Sequence, residues 1–210
     1  MTRWENVTAC LSTIGDRPAS PTGPWLTAVL ALVAILFLAA PGAAAQSACA
    51  PTPDPSCAIY ETCFAQRCPC EGHPDEYFRS YGSRYCSRFL ENAGFTAAGR
   101  AWRDGTLRCL QERIALELEE DLSDGNCDCA GMRRFAFQTH VACYTQPGGS
   151  ICALPPGDLS RIGQVIEAPE MLDPLGQAQM LEVARICTLT APDDGRRAVW
   201  RGFRSMLSLP

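Results

Sequence analysis

Apolar positions through the middle of the chain recur at intervals of three and four residues. Phe78, Tyr81, Tyr85 and Phe89 stand at i, i+3, i+7 and i+11, and Leu107, Leu110, Ile114 and Leu118 repeat the spacing. That period places each set on one face of an α-helix. Phe137, Val141 and Tyr144 form a further stripe in GMRRFAFQTHVACY, which stops at the breaker Gln146-Pro147-Gly148-Gly149. Asp158 is placed to cap LSRIGQVIEA, which ends ahead of Pro169. PLGQAQMLEVARICTL opens on Pro174, a favoured first-turn residue, and RRAVWRGFRSMLSL sets Val199, Phe203 and Met206 on one face. No segment sustains the two-residue alternation of a strand. The expectation is an all-α fold, a compact bundle of five or six short helices joined by Gly and Pro turns.

One apolar stretch has a different character. Trp25 to Ala40, WLTAVLALVAILFLAA, is an uncharged run of 16 residues with Arg3 and Arg17 ahead of it. Ala43-Ala44-Ala45 follows with the small-x-small pattern of a signal-peptidase site, and the next basic residue is Arg67. This predicts a secretory signal over 1–45, the alternative being an uncleaved anchor. Residues 46–56, with the stiff PTPDP, make a Pro-rich entry segment. Residues 57–190 form the helical domain and 191–210 a C-terminal amphipathic helix. The protein is expected to be secreted, or periplasmic in a bacterium, with no membrane association after cleavage.

Charge narrows the partners and cysteine content fixes the chemistry. All 18 basic residues are Arg, against 23 Asp or Glu, for a net charge of −5. They form no basic stripe, which speaks against nucleic acid. Of 13 cysteines, Cys10 leaves with the signal, and the even remainder suits a fully bridged exported chain of six disulfides. Cys68-Pro-Cys70 and Cys127-Asp-Cys129 admit three readings: a strained ring within each tripeptide, a four-thiolate zinc site, or cystines between them. Structural zinc ligands more often come as Cys-x2-4-Cys, and an oxidising compartment consumes free thiols.

The half-cystine order, with the strings YCSRFL (85–90), GRAWRDGTLRCLQE (99–112) and RRFAFQTHVACYTQPGGSIC (133–152), resembles the stanniocalcins, secreted disulfide-rich helical glycoproteins of animals. The resemblance runs from about Cys49 to Cys187. It implies pairs Cys49–Cys63, Cys57–Cys86, Cys109–Cys143 and Cys152–Cys187. It also sets Cys68 and Cys70 against Cys127 and Cys129, with the partners within that set left open. On the same resemblance, the chain acts without cofactor or metal, by extracellular protein–protein interaction with a target it does not identify. The family's members are hormones of calcium and phosphate balance, and some restrain a secreted metalloprotease. The chain lacks the cysteine beyond the last intrachain pair that ties family dimers, so any homodimer is expected to be non-covalent. It also lacks a glycosylation sequon after the signal.

Enzyme motifs fare less well. His140-Val141-Ala142-Cys143-Tyr144 is similar to the His-Asp-x-Cys-Tyr helix of secreted phospholipases A2, but Val141 stands where the calcium-ligating Asp belongs. Without calcium no ester carbonyl is polarised. A diverged hydrolase of that type and an exported thiol or zinc protein remain the alternatives to a non-catalytic binding role. His73 reads as a loop residue, with Asp75 and Glu76 suited to the following helix start. The acidic run from Glu117 to Asp124 lacks EF-hand spacing and reads as a solvated helix end. The aromatic stripe of 77–89 reads as core.

Overall fold

The computed structural model describes residues 49–121, 126–146 and 149–208. The apolar run of 25–40 and its cleavage site therefore lie outside the described residues, as do Asp124, Pro147 and Gly148. Among the described residues the chain is all-α, with eight helices and no strand. Helix α1 opens as a π-turn over Tyr60–Phe64 and continues over Ala65–Arg67. Helix α2 does the same over Phe78–Ser83 and Arg84–Glu91. Helices α3 (Ala97–Asp121) and α4 (Cys129–Thr145) follow, then a 3-10 turn at Ile151–Ala153. Helices α5 (Pro156–Val165), α6 (Ala168–Leu172), α7 (Pro174–Thr190) and α8 (Asp194–Leu207) complete the domain. None is long and apolar enough to cross a membrane. The count exceeds the expected five or six because α1 and α6 are too short to show an apolar period.

The helices pack in series, α1 on α2, α3 on α4, α4 on α7 and α7 on α8. Tyr60, Phe64, Phe78, Tyr85, Phe89, Trp102, Ile114, Leu118 and Phe137 are buried between them. The π-turns of α1 and α2 meet where Gly82 lies under the Tyr60 ring; a Cβ at Gly82 would stand 2.5 Å from Tyr60 Cε1. Only glycine allows that approach.

Six cystines fasten the series: Cys49–Cys63, Cys57–Cys86, Cys68–Cys127, Cys70–Cys129, Cys109–Cys143 and Cys152–Cys187. Their Cα–Cα distances, 4.9 to 5.8 Å, fall in the range a cystine spans. The two Cys-x-Cys strings are joined first to first and second to second.

Helix starts follow local chemistry with one correction. Asp173 Oδ1 accepts from the Leu175 and Gly176 amides ahead of Pro174, and Asp193 Oδ1 accepts from the Arg196 amide. Glu76 accepts from the Arg79 and Ser80 amides at the head of α2. Asp158, expected to cap its own helix, does not. The α5 N-cap is Pro155, and Asp158 sits one turn inside with no exposed surface. Its carboxylate instead reaches the start of α3, where Oδ1 accepts from the Thr96 amide and Oδ2 from the Thr96 hydroxyl. Thr96 Oγ1 accepts in turn from the Gly99 amide, and a Cβ at Gly99 would stand 2.6 Å from the Asp158 carboxyl. A carboxylate on one helix thus caps another, where the amides and dipole favour negative charge.

Two outcomes are expected from urea unfolding. Asp158→Ala should lose about 2 kcal/mol, since it removes the fully buried carboxylate that accepts two charge-assisted hydrogen bonds from Thr96; a loss below about 0.5 kcal/mol would contradict this role. Replacing Cys152 and Cys187 together by Ala should lose about 3–4 kcal/mol, the loop-closure entropy of the chain-entropy account for a loop of this size.

Candidate functional site

A cleft of about 840 Å³ opens among α5, α6, α7 and α8. Leu159, Ile162 and Gly163 line it from α5, with Ile166 just beyond. Met171 and Leu172 contribute from α6, Met180 and Val183 from α7, and Val199, Trp200, Phe203, Met206 and Leu207 from α8. Tyr81 of α2, Tyr144 of α4 and Ile151 form the inner wall. The volume and the apolar lining are those of a small-molecule or peptide-anchor site. A second void, of about 30 Å³ among Tyr60, Tyr77, Thr106 and His140, is water-sized.

The cleft accounts for the apolar stripe of α8. Val199, Phe203 and Met206 were expected to share one face of it, and all three line the cleft. Trp200 is buried, Phe203 is half-buried, and Val199 and Met206 stay 47% and 63% exposed. The apolar stripe of this helix faces the cleft and its rim, so hydrophobicity there records a recess and not a packed contact. Leu172 stands on the same rim, 71% exposed. Gly163 and Gly202 also line the cleft, and a Cβ at either would meet no atom within 4 Å.

Charged pairs hold α6 in place. Arg84 and Arg88 of α2 both pair with Glu167, Arg84 pairs with Glu170 at 3.4 Å, and Arg133 of α4 pairs with Asp173 at 2.6 Å. The Arg84 guanidinium, then that of Arg88, holds the Glu167 carboxyl below the usual carboxylate range. Burial works to raise Asp173, but Arg133 and the Gly176 and Leu175 amides outweigh it and lower the carboxyl. Isolated surface pairs contribute about 0–1 kcal/mol each. Here several converge on one seven-residue segment, 167–173, which they keep on the cleft wall.

The sequence-predicted sites lie elsewhere. His140, 3% exposed, sits among Tyr77, Tyr81, Phe137 and Tyr144, with ring centroids 5.3 to 6.5 Å away. Its Nε2 is 3.5 Å from the Tyr77 hydroxyl. Burial lowers its pKa to about 4, opposed only in part by the Phe137 carbonyl, and its Nδ1 makes no hydrogen bond of ordinary geometry. Burial pushes the hydroxyls of Tyr60, Tyr77, Tyr81 and Tyr144 well up. These rings are aromatic core, Tyr81 alone of the 77–89 stripe also reaching the cleft. His73 lies in a turn, its Nδ1 accepting from the Asp75 amide, and Glu119 and Glu120 are exposed.

The four sulfurs of the Cys-x-Cys strings lie together. Cys70 Sγ is 3.6 Å from Cys68 Sγ and 3.8 Å from Cys127 Sγ. Cys68, Cys70 and Cys127 are close enough to share an ion. A metal binds thiolate, however, and all twelve described cysteines are spent in cystines.

Comparison with protein-family models, curated proteins and solved structures returns no match. The cleft itself was invisible in the sequence, because its walls come from six helices and a turn. The one available signal was the apolar stripe of α8, whose Val199, Phe203 and Met206 all line it.

Because the folded His140 takes up a proton only near pH 4 while an unfolded histidine does so near pH 6.5, the unfolded chain binds the proton first. The native state is therefore favoured fully above about pH 6.5. This contribution is lost as pH drops, the loss reaching about 3 kcal/mol by pH 4. Urea unfolding of His140→Gln should show a correspondingly flatter decline over that window than the wild type. Parallel declines would mean His140 is not desolvated.

Proposed function

We propose that this chain is an exported, non-catalytic binding protein whose working surface is the cleft bounded by α5 to α8. The observation that carries this reading is the cleft, a preformed apolar recess of about 840 Å³ with exposed Leu172, Val199 and Met206 on its rim. A monomeric protein rarely leaves apolar surface gathered in one place without a use for it. The six cystines support export, since such bonds persist in oxidising compartments. The half-cystine order that resembles the stanniocalcins supports an extracellular role by binding, hormone-like or inhibitory in the manner of that family. The burial of His140 inside the aromatic core supports a packing role for it, because a general base must reach its substrate.

The test is an uncharged fluorescent reporter, N-phenyl-1-naphthylamine, titrated into the purified oxidised protein. Wild type should brighten it saturably with one site. Gly163→Phe combined with Gly202→Phe, which fills the cleft from two walls where the added Cβ atoms meet nothing within 4 Å, should weaken binding at least about tenfold. Circular dichroism and the thermal midpoint confirm that the variant folds. No saturable signal from wild type, or equal binding by a folded variant, would overturn the reading.

A further inference from the structure

The cleft's own chemistry narrows what it takes, provided that it is the working surface argued above. We infer that its ligand is an uncharged amphiphile with an extended hydrocarbon chain and a hydroxylated head, of the class of long-chain alcohols and monoacylglycerols. Shape gives the chain. The lining residues of α8 run from Ala198 to Leu207, about 14 Å at the rise of an α-helix, and the wall continues across α7 and α5. Ile162, Met180, Val183 and Phe203 present only hydrocarbon and thioether surface, and flexible methionines adjust to a chain of no fixed conformation. Burying such a chain is driven by the apolar area removed from water.

Polar groups give the head. Glu170 is the one charged side chain among the described residues lining the cleft, so an anionic head meets a carboxylate and no lining cation. Arg84 is already engaged by Glu170 and Glu167. Gln179 and Trp200, 9% and 4% exposed, also line the cleft, and neither Gln179 Oε1 nor Trp200 Nε1 has a hydrogen-bond partner within the protein. One is an acceptor, the other a donor. Leaving such groups unpaired and shielded from water costs about 1–3 kcal/mol each. A hydroxylated head carries both kinds of partner, a donor for Gln179 Oε1 and an acceptor for Trp200 Nε1, whereas a carboxylate only accepts. The inner wall adds the Tyr81 and Tyr144 phenols, which burial keeps protonated.

The experiment is displacement of N-phenyl-1-naphthylamine by 1-monooleoylglycerol and by oleate, which share a hydrocarbon chain, each below the concentration at which it aggregates. Monooleoylglycerol should displace the reporter with an apparent Kd at least about tenfold below that of oleate, the difference expected for one or two hydrogen bonds and one unfavourable charge. Trp200→Phe keeps a ring and loses the donor. It should weaken monooleoylglycerol at least about threefold relative to the reporter, by the same hydrogen-bond reasoning. Equal or tighter displacement by oleate overturns the inference, as does reporter loss that appears only when protein concentration is raised, which would mean that a second copy fills the cleft. If monooleoylglycerol fails to displace a reporter that the Gly163 and Gly202 variant no longer binds, the ligand class is wrong while the cleft remains the binding surface.

Discussion

Covalent closure is the constraint on which this fold rests. Helices shorter than about a dozen residues do not persist in water alone, and α5 has ten residues and α6 five. Helices α1 and α2 are interrupted by π-turns at Tyr60–Phe64 and Phe78–Ser83, so neither could present a long regular stripe to a partner. Cystines relieve packing of part of its task by restricting the unfolded chain. Once Cys57 is tied to Cys86 and the Cys-x-Cys strings to each other, the aromatic side chains of α1, α2 and α4 have little freedom to meet in any other way. Tyr77, Tyr81, Phe137, His140 and Tyr144 then form one contiguous cluster. A buried histidine is tolerable there because it stays neutral.

The same closure explains how a domain of this size keeps a large recess open. Without restraint, α5 and α6 would be drawn toward α7 and α8 by the apolar area between them. Two kinds of tie oppose that. Cys152–Cys187 fixes the 3-10 turn to α7, and the arginines of α2 and α4 anchor both ends of α6 from outside the cleft. The Asp158 carboxylate adds a third, fastening the head of α5 to the head of α3. Each tie acts on backbone at the perimeter, leaving apolar side chains to line the space in the middle.

How much of this was legible in the sequence depended on whether the signal was local. Helix period, Pro174 and the Gln146 breaker are local, and the helices appear where they place them. The short α1 and α6 carry too few residues for a period to emerge. Asp158 was read as a cap of the nearest helix because sequence shows only chain neighbours; its donors on Thr96 are 62 residues away. Val199 and Met206 follow the period of a buried stripe, yet the surface they face is a cleft, a distinction that requires knowing what stands opposite. Partner choice between Cys68 and Cys70 was open for the same reason. It is decided by the way the segment after Arg67 runs beside the segment that enters α4.

The cystines are not evenly interlaced. Cys57 falls within the Cys49–Cys63 loop, Cys68 and Cys70 within the Cys57–Cys86 loop, and Cys109 within the two loops that end at Cys127 and Cys129. Together with Cys109–Cys143 they form one unbroken weave from Cys49 to Cys143, whereas Cys152–Cys187 closes a loop that overlaps none of them. The cleft straddles this seam. Tyr81 and Tyr144 stand on or beside the woven half, and nearly every other lining residue belongs to a half with a single covalent clasp. One wall is thereby cross-linked several times over and the other only once, so the aromatic side of the cleft is the better braced of the two.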